Sequence, residues 1–439
     1  MLEWRILLIM VSIFFTQCVM RIKTYTNFSS WTYIFALGLF LASGLSFDFF
    51  NKQGFINDYF SLNRLLWLGF TTFLIAGLDT QKFKLSSTLV LLFLWASWNF
   101  SNLFIADGDV RLIVIRCIQA TVIAVFITSI NQGKFQFERL CKAISLTWSF
   151  SVLTIFVILI VSTLIDPHIF LFLKEQIFGL SSNFSIFCSQ FIALFLFKNL
   201  FERDAVVAKS RASMFYLFLS ILPIIIWQVS SGGRAGLLMT CLILTFFALV
   251  RFGKLAALFN FFATTSVILL IDIFLRTQIR PFLSQYVGKK FPLINQGSIS
   301  RGFEFFAGEE STSLLHLIDK ISSWRVSGLI ETIILIDLER LFVGYGVANF
   351  KILNETHYPH MALVRHLVEL GAIGFILSSI LYFKPFISKP KGDLEKFSLL
   401  YLLCFISITF LQPSGPLIHL NSAMVFWMVY AYLEHIKNT

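Results

Sequence analysis

Residues 85–131, LSSTLVLLFLWASWNFSNLFIADGDVRLIVIRCIQATVIAVFITSIN, hold two apolar runs of about twenty residues on either side of the polar turn Ala106–Asp109. A helix rises about 1.5 Å per residue, so each run matches the roughly 30 Å hydrocarbon core of a bilayer. Comparable runs lie at 2–20, 31–49, 62–79, 141–165, 183–201, 213–230, 235–251, 254–276, 361–384, 396–412 and 416–434. Across the 439 residues, 57% are apolar and 13% charged, against about 25% charged in soluble domains. The mean hydropathy is +0.80. This pattern predicts an all-α polytopic membrane protein of about 12–13 transmembrane helices and excludes a soluble enzyme, a DNA-binding protein and a disordered scaffold.

Charge sets the orientation. Six connections carry 17 basic residues between them: Arg21/Lys23, Lys82/Lys84, Lys134/Arg139/Lys142, Lys198/Arg203/Lys209/Arg211, Arg251/Lys254 and Lys384/Lys389/Lys391/Lys396. The alternating short connections hold only Lys52, Arg111, Lys174 and Arg234. The basic set is therefore cytoplasmic, which places the C-terminus inside. The net charge of +11 is this bias and not a nucleic-acid surface. The first twenty residues lack a small-x-small cleavage site, which favours a retained helix over a signal peptide. The six cysteines (Cys18, Cys117, Cys141, Cys188, Cys241, Cys404) are dispersed, show no CxxC pairing, and read as reduced packing residues.

The chain divides into spans 1–276, an outward loop domain 277–360 and spans 361–439. The loop has 84 residues, with eight Lys/Arg and eight Asp/Glu, as befits a folded polar cap. Its segment WRVSGLIETIILIDLERL (324–341) places Val326, Leu329, Ile330, Ile333 and Ile334 at helical spacing, with Ser323 as a cap. The helix is expected to run up to FVGYG, where Gly344 and Gly346 can take positive φ. No internal repeat relates the two halves, which weighs against an inverted-repeat transporter.

Three outward places carry chemistry. In QVSSGGRAGLL (228–238), Arg234 opens a helix at the membrane boundary, where unpaired N–H groups and a guanidinium suit a phosphate; a polar turn with a snorkelling Arg is the plainer alternative. In ISSWRVSG, Arg325 sits in a helix's first turn, where a cation opposes the dipole unless an anion is near; a solvent-facing Arg, or one paired with Glu331, is the alternative. His360 follows Pro359 and begins PHMALVRHLVELGAIG, where a neutral imidazole could accept a hydroxyl proton or merely sit at the interface. Gly371 and Gly374 form a GxxG pair suited to close helix packing.

Weaker candidates surround these. Arg116 lies five residues into a span, where it either adds a diphosphate contact or snorkels outward. Asp107-Gly108-Asp109 has a metal-binding D-x-D form, but a helix cap accounts better for it. Glu304, Glu309 and Glu310 read as solvated loop acids. Glu369 is placed to orient Arg365, one turn back, or to pair with His366. A metal site at His357, His360, His366 and Glu369 is disfavoured because helical turns scatter those side chains. Trp31, Trp227 and Tyr358 read as interface anchors.

In their order and spacing, the SSGGRAGLL turn, a long outward loop, Ser323-x-Arg325 before a helix, GYGVANF and the His-led PHMALVRHLVELGAIG helix resemble the O-antigen ligase/polymerase superfamily. The resemblance covers mainly residues 225–377. The family often has His-Asn where this chain has His360-Met361, and Ser-Arg-Gly where it has Gly233-Arg234-Ala235. The resemblance implies a GT-C-like fold with a helical periplasmic loop, in the bacterial inner membrane, the active site facing the periplasm. It implies an inverting, metal-independent glycosyltransferase needing no cofactor, with an undecaprenyl-diphosphate-linked glycan as donor and a lipid-linked glycan or lipid A–core as acceptor. Arg234 and Arg325 would hold the diphosphate, with Arg116 as an added contact, and His360 would be the base. The expected function is O-antigen or polysaccharide polymerase. The alternatives are O-antigen ligase and, from another class, a lipid-linked oligosaccharide transporter. Membrane lipids and a chain-length regulator are the remaining expected partners, and nucleic acid is not one.

Overall fold

The computed structural model describes residues 71–79, 85–141, 181–201, 221–229, 234–277, 334–349, 362–410, 415–418 and 423–438, apart from 73, 77, 107, 134, 135, 223, 227, 275, 276, 335 and 348. The described secondary structure is helical: α1 Ser87–Ile105, α2 Val110–Asn131, α3 Ser181–Phe201, α4 Arg234–Phe252, α5 Lys254–Phe274, α6 Ala362–Phe383, α7 Asp393–Phe410 and α8 Met424–Asn438, with a short 3-10 turn at Lys384–Ile387. Among the described residues five helices are long and apolar enough to cross a membrane: α1, α2, α4 from Ala235, α5, and α6 with the turn that follows it. The chain is a multi-pass helical membrane protein. Large apolar side chains on these helices face outward, as a lipid-bathed surface requires; Phe104 is 80% exposed and Leu255 85%. The expected spans 2–20 and 31–49 lie outside the described residues, as do most of 62–79, 141–165 and 213–230. The five described cysteines form no disulfide, and Cys18 lies outside the described residues.

The chain forms two compact units: Met1–Phe73, Gln136–Ala307 and Gly392–Tyr401 in the first, Leu74–Phe135, Gly308–Lys391 and Leu402–Thr439 in the second. In the first unit α4 packs between α3 and α5. Its core is aromatic: Phe197 meets Phe397 at 4.8 Å and Phe137 at 5.4 Å between ring centroids, and Phe247 meets Phe397 at 5.8 Å. Edge-to-face contacts of this kind add to the dispersion gained on burial.

In the second unit α1 and α2 pair through the turn Ala106–Asp109. Ser86 caps α1 through Leu89 N–H, and the Asp109 carboxylate caps α2 through the N–H groups of Arg111 and Leu112. The cap assignment for Asp109 therefore holds, and Arg111 lies 3.6 Å from the same carboxylate. Trp427 Nε1 donates to the Pro416 carbonyl at 2.9 Å, pinning the 415–418 turn onto α8.

Helix α6 departs from expectation. The apolar run 361–384 predicts one straight span, but Gly371 has φ 67 and ψ −170, which breaks the helix in two. On a straight helix His366 and Tyr382 would stand about 24 Å apart; here His366 Nε2 and the Tyr382 hydroxyl are 3.1 Å apart. The register with α1 gives the sense of each half. Trp95 meets His366, and Trp98 donates to the Leu370 carbonyl, so 362–370 runs parallel to α1. Lys384 reaches Thr88, so the second half runs antiparallel. The halves fold back on each other, nine residues against twelve, so α6, although long and apolar enough by length and composition, does not cross as one straight span.

The break is plugged by the FVGYG turn. Gly344 (φ 82) and Gly346 (φ 98) do take positive φ. Their part, however, is to bring the chain against the broken end of α6. Tyr345 N–H donates to the Val368 carbonyl at 2.8 Å and Gly346 N–H to the Glu369 carbonyl at 3.1 Å. These are helix-terminal carbonyls that would otherwise lack donors. The amphipathic loop helix stops earlier than expected: residues 338–343 are turns, not helix. There the Asp337 N–H donates to the Tyr345 hydroxyl at 2.9 Å. The rest of that expected helix lies outside the described residues.

Candidate functional site

Arg116 enters the second unit from α2, about two turns past the Asp109 cap. It is 3% exposed, so it does not snorkel. Its Nη2 donates to Glu369 Oε2 on the first half of α6. The other carboxylate oxygen of Glu369 accepts from Arg365 Nε at 2.9 Å, one turn back on the same helix. One carboxylate therefore bridges two guanidinium groups inside the membrane domain, and the three described side chains sum to one positive charge. Glu369 does orient Arg365, as the i, i+4 spacing predicts, and it does not pair with His366.

His366 stands beside this cluster, three residues before Glu369 and fully buried. Besides its bond to Tyr382, it packs edge-on against Trp95, with ring centroids 6.1 Å apart at 87°. The Tyr382 hydroxyl also accepts from Leu417 N–H at 3.3 Å, so it ties α6 to the 415–418 turn. Three nitrogen atoms of the neighbourhood are buried without a hydrogen-bond partner: Arg116 Nη1, His366 Nδ1 and Trp95 Nε1. Asn102 Nδ2 donates to the Val343 carbonyl at 3.0 Å and Asp109 N–H to the Val347 carbonyl at 2.8 Å, so α1 and α2 hold the plugging turn from the other side. Outside the spans, burial pushes the Tyr345 phenol above its ordinary value of 10.0. The Asp337 N–H it accepts from works against that, and the Asp337 carboxylate beside it adds to the rise.

In the first unit, Arg234 is the first residue of α4. What aligns this helix end is a polar seam between α3 and α4. Gln228 Nε2 donates to the Ser185 carbonyl at 2.7 Å and to Ser189 Oγ at 2.9 Å. Thr240 Oγ1 donates to Gln228 Oε1 at 2.9 Å, and Ser189 Oγ donates to the Gly236 carbonyl at 2.7 Å. All four side chains are fully buried. A Cβ on Gly236 would collide with the Ser185 backbone, so the glycine sets how closely α4 approaches α3.

Of the expected site residues, the structure places Arg116 in the buried cluster and Arg234 at the head of α4. His360 and Arg325 lie outside the described residues, as do His357, Ser323, Asp107, Glu304, Glu309 and Glu310. Trp31, Trp227 and Tyr358 lie outside them too. Sequence reasoning weighed His366 only as a partner of Glu369 or a disfavoured metal ligand, and it missed Trp95, Tyr382 and the Gln228–Ser185–Ser189–Thr240 seam. The available signal was polar residues inside apolar spans, which proteins retain in membranes mainly for pairing or function. Among the described residues no three His, Cys, Asp or Glu side chains form a metal-binding group. Compared with family models, with characterised proteins and with solved structures, the chain gives no match.

Proposed function

We propose that this chain is a membrane glycosyltransferase of the bacterial inner membrane that moves an undecaprenyl-diphosphate-linked glycan at the periplasmic face, as a polysaccharide polymerase. The observation that carries the reading is Arg116: a buried cation within a membrane helix, neutralised in part by Glu369 and keeping an unpartnered Nη1. Burying such a charge is costly, and its persistence argues for an anionic ligand. The order of motifs around Arg234, Arg325 and His360 supports the same chemistry.

In this mechanism His360 takes the proton of the acceptor hydroxyl. The freed oxygen attacks the anomeric carbon of the donor from the face opposite the diphosphate, and the carbon–oxygen bond to the diphosphate breaks with inversion. Arg234 and Arg325 stabilise the charge that collects on the departing diphosphate, and the imidazolium gives up its proton to solvent before the next cycle. A ligase would use the same donor chemistry on lipid A–core.

The broken helix favours a second reading from another class. Discontinuous helices flanked by buried charge also build substrate sites in transporters, so a lipid-linked oligosaccharide transporter is the alternative. One experiment separates the three: glycan display by gel in cells lacking the protein, complemented with wild type, Arg234→Ala, Arg325→Ala, His360→Ala or Arg116→Ala at matched expression. Single-repeat lipopolysaccharide without the protein identifies a polymerase. Loss of all glycan from lipid A, with long chains accumulating on undecaprenyl diphosphate, identifies a ligase. Wild-type display from the Arg234, Arg325 and His360 variants would sink the catalytic assignment and move the transporter forward.

A further inference from the structure

We propose that Arg116 Nη1, His366 Nδ1 and Trp95 Nε1 form one oxyanion site for the phosphate of a glycosyl phosphate, a proposal that rests on the lipid-diphosphate reading above and names two residues of its donor site. All three nitrogens are buried and have no hydrogen-bond partner. Protein interiors rarely leave such atoms unmatched, and here three sit on contiguous side chains: Trp95 packs on His366, His366 lies three residues from Glu369, and Glu369 binds Arg116.

The protonation pattern makes all three donors. Trp Nε1 and Arg Nη1 only donate. The Tyr382 hydroxyl accepts from Leu417 N–H, and His366 Nε2 is the described group within reach of its own hydrogen. With Tyr382 donating to Nε2, the neutral imidazole carries its hydrogen on Nδ1. Three buried donors on neighbouring side chains, one of them a guanidinium, suit a phosphate oxygen and not a cation. Asn99, one turn beyond Trp95, commits Nδ2 to the Trp95 carbonyl at 2.9 Å and leaves Oδ1 buried without a donor. A sugar hydroxyl next to the phosphate supplies that donor, which points to a glycosyl phosphate over a bare diphosphate. Tyr382 is then a positioning residue: it fixes the His366 tautomer.

The test uses the purified full-length chain in lipid nanodiscs, with inorganic pyrophosphate and glucose 1-phosphate as probes in equilibrium binding. Trp95→Phe keeps the ring and removes one donor; His366→Leu removes the imidazole, and His366→Asn returns an amide N–H near Nδ1. Trp95→Phe and His366→Leu are expected to weaken both probes about tenfold, the effect of one charge-assisted hydrogen bond. His366→Asn is expected to restore most of that loss, and Tyr382→Phe to make the affinity pH-dependent through the released imidazole. Unchanged affinity in Trp95→Phe and His366→Leu, with binding still lost in Arg116→Ala, would overturn the three-donor site and leave the Arg116 reading standing. No binding of either probe by the wild type would overturn the three-donor site as well, and glycan display then judges the enzymatic reading independently.

Discussion

Replacing Gly371 with alanine tests the fold-back of α6 directly. The native backbone there, φ 67 and ψ −170, is a conformation open in practice to glycine alone. Holding alanine in it costs about 1–3 kcal/mol. An added Cβ would also run into the Phe342 carbonyl, a backbone group that cannot rotate away as a side chain would. Overpacking of that kind costs about another 1–3 kcal/mol, so Gly371→Ala is expected to destabilise the chain by about 2–6 kcal/mol in all. Two glycines calibrate the figure. Gly253 has φ 92 and open space around its Cβ position, so Gly253→Ala isolates backbone strain at about 1–2 kcal/mol. Gly392 has open space and no positive φ, so Gly392→Ala is expected to be neutral within about 0.5 kcal/mol. The assay is detergent-titrated unfolding of the purified full-length protein, followed by tryptophan fluorescence. A Gly371→Ala protein no less stable than Gly253→Ala would refute both the break and the plug that fills it.

Removing the bridging carboxylate with Glu369→Ala leaves two buried guanidinium groups facing each other and is expected to cost about 3–5 kcal/mol in the same assay; wild-type stability would show that the bridge carries no weight. Tyr345 has a folded-state pKa raised above the ordinary 10.0, so its contribution is full below about pH 10 and is lost as pH rises through the folded value. Alkaline unfolding curves of wild type and Tyr345→Phe should therefore differ in slope above about pH 10, and superimposable slopes count against a buried phenol there. Gly236→Ala pushes α4 off α3 and is expected to cost about 1–3 kcal/mol, with weakened glycan display if the seam positions Arg234; an unaffected melting temperature would mean that the helices are not in backbone contact.

The hairpin of α1 and α2 is plain in the sequence because run length and an Asp cap are local signals, and both survive folding. Helix α6 is not. A glycine in an apolar run reads as a packing notch as easily as a break, and what decides is the plugging turn, which arrives from residues 341–347. The FVGYG glycines were legible as positive-φ positions, yet their partner carbonyls on α6 were not. Arg365 with Glu369 is an i, i+4 pair and could be read off the chain. Arg116 with Glu369 could not, since the two lie 253 residues apart and no local pattern links them. The polar seam around Gln228 is similar: its members come from three separate segments, and single serines and threonines in apolar spans carry no address.

The Arg116–Glu369 pair also bears on how the protein is made. Helices enter the bilayer in the order of synthesis, and at about 5–20 residues per second the 253 residues between the partners take roughly 10–50 s to translate. Through that interval α2 holds a lone cation in the membrane, a burden of roughly 2.5–3.5 kcal/mol on insertion. The helix carries it because, apart from Arg111 near its first turn, the rest of Val110–Asn131 is uncharged. A second charge added to α2 would therefore be felt first at the translocon, as a helix that fails to stay inserted, before any partner exists to rescue it.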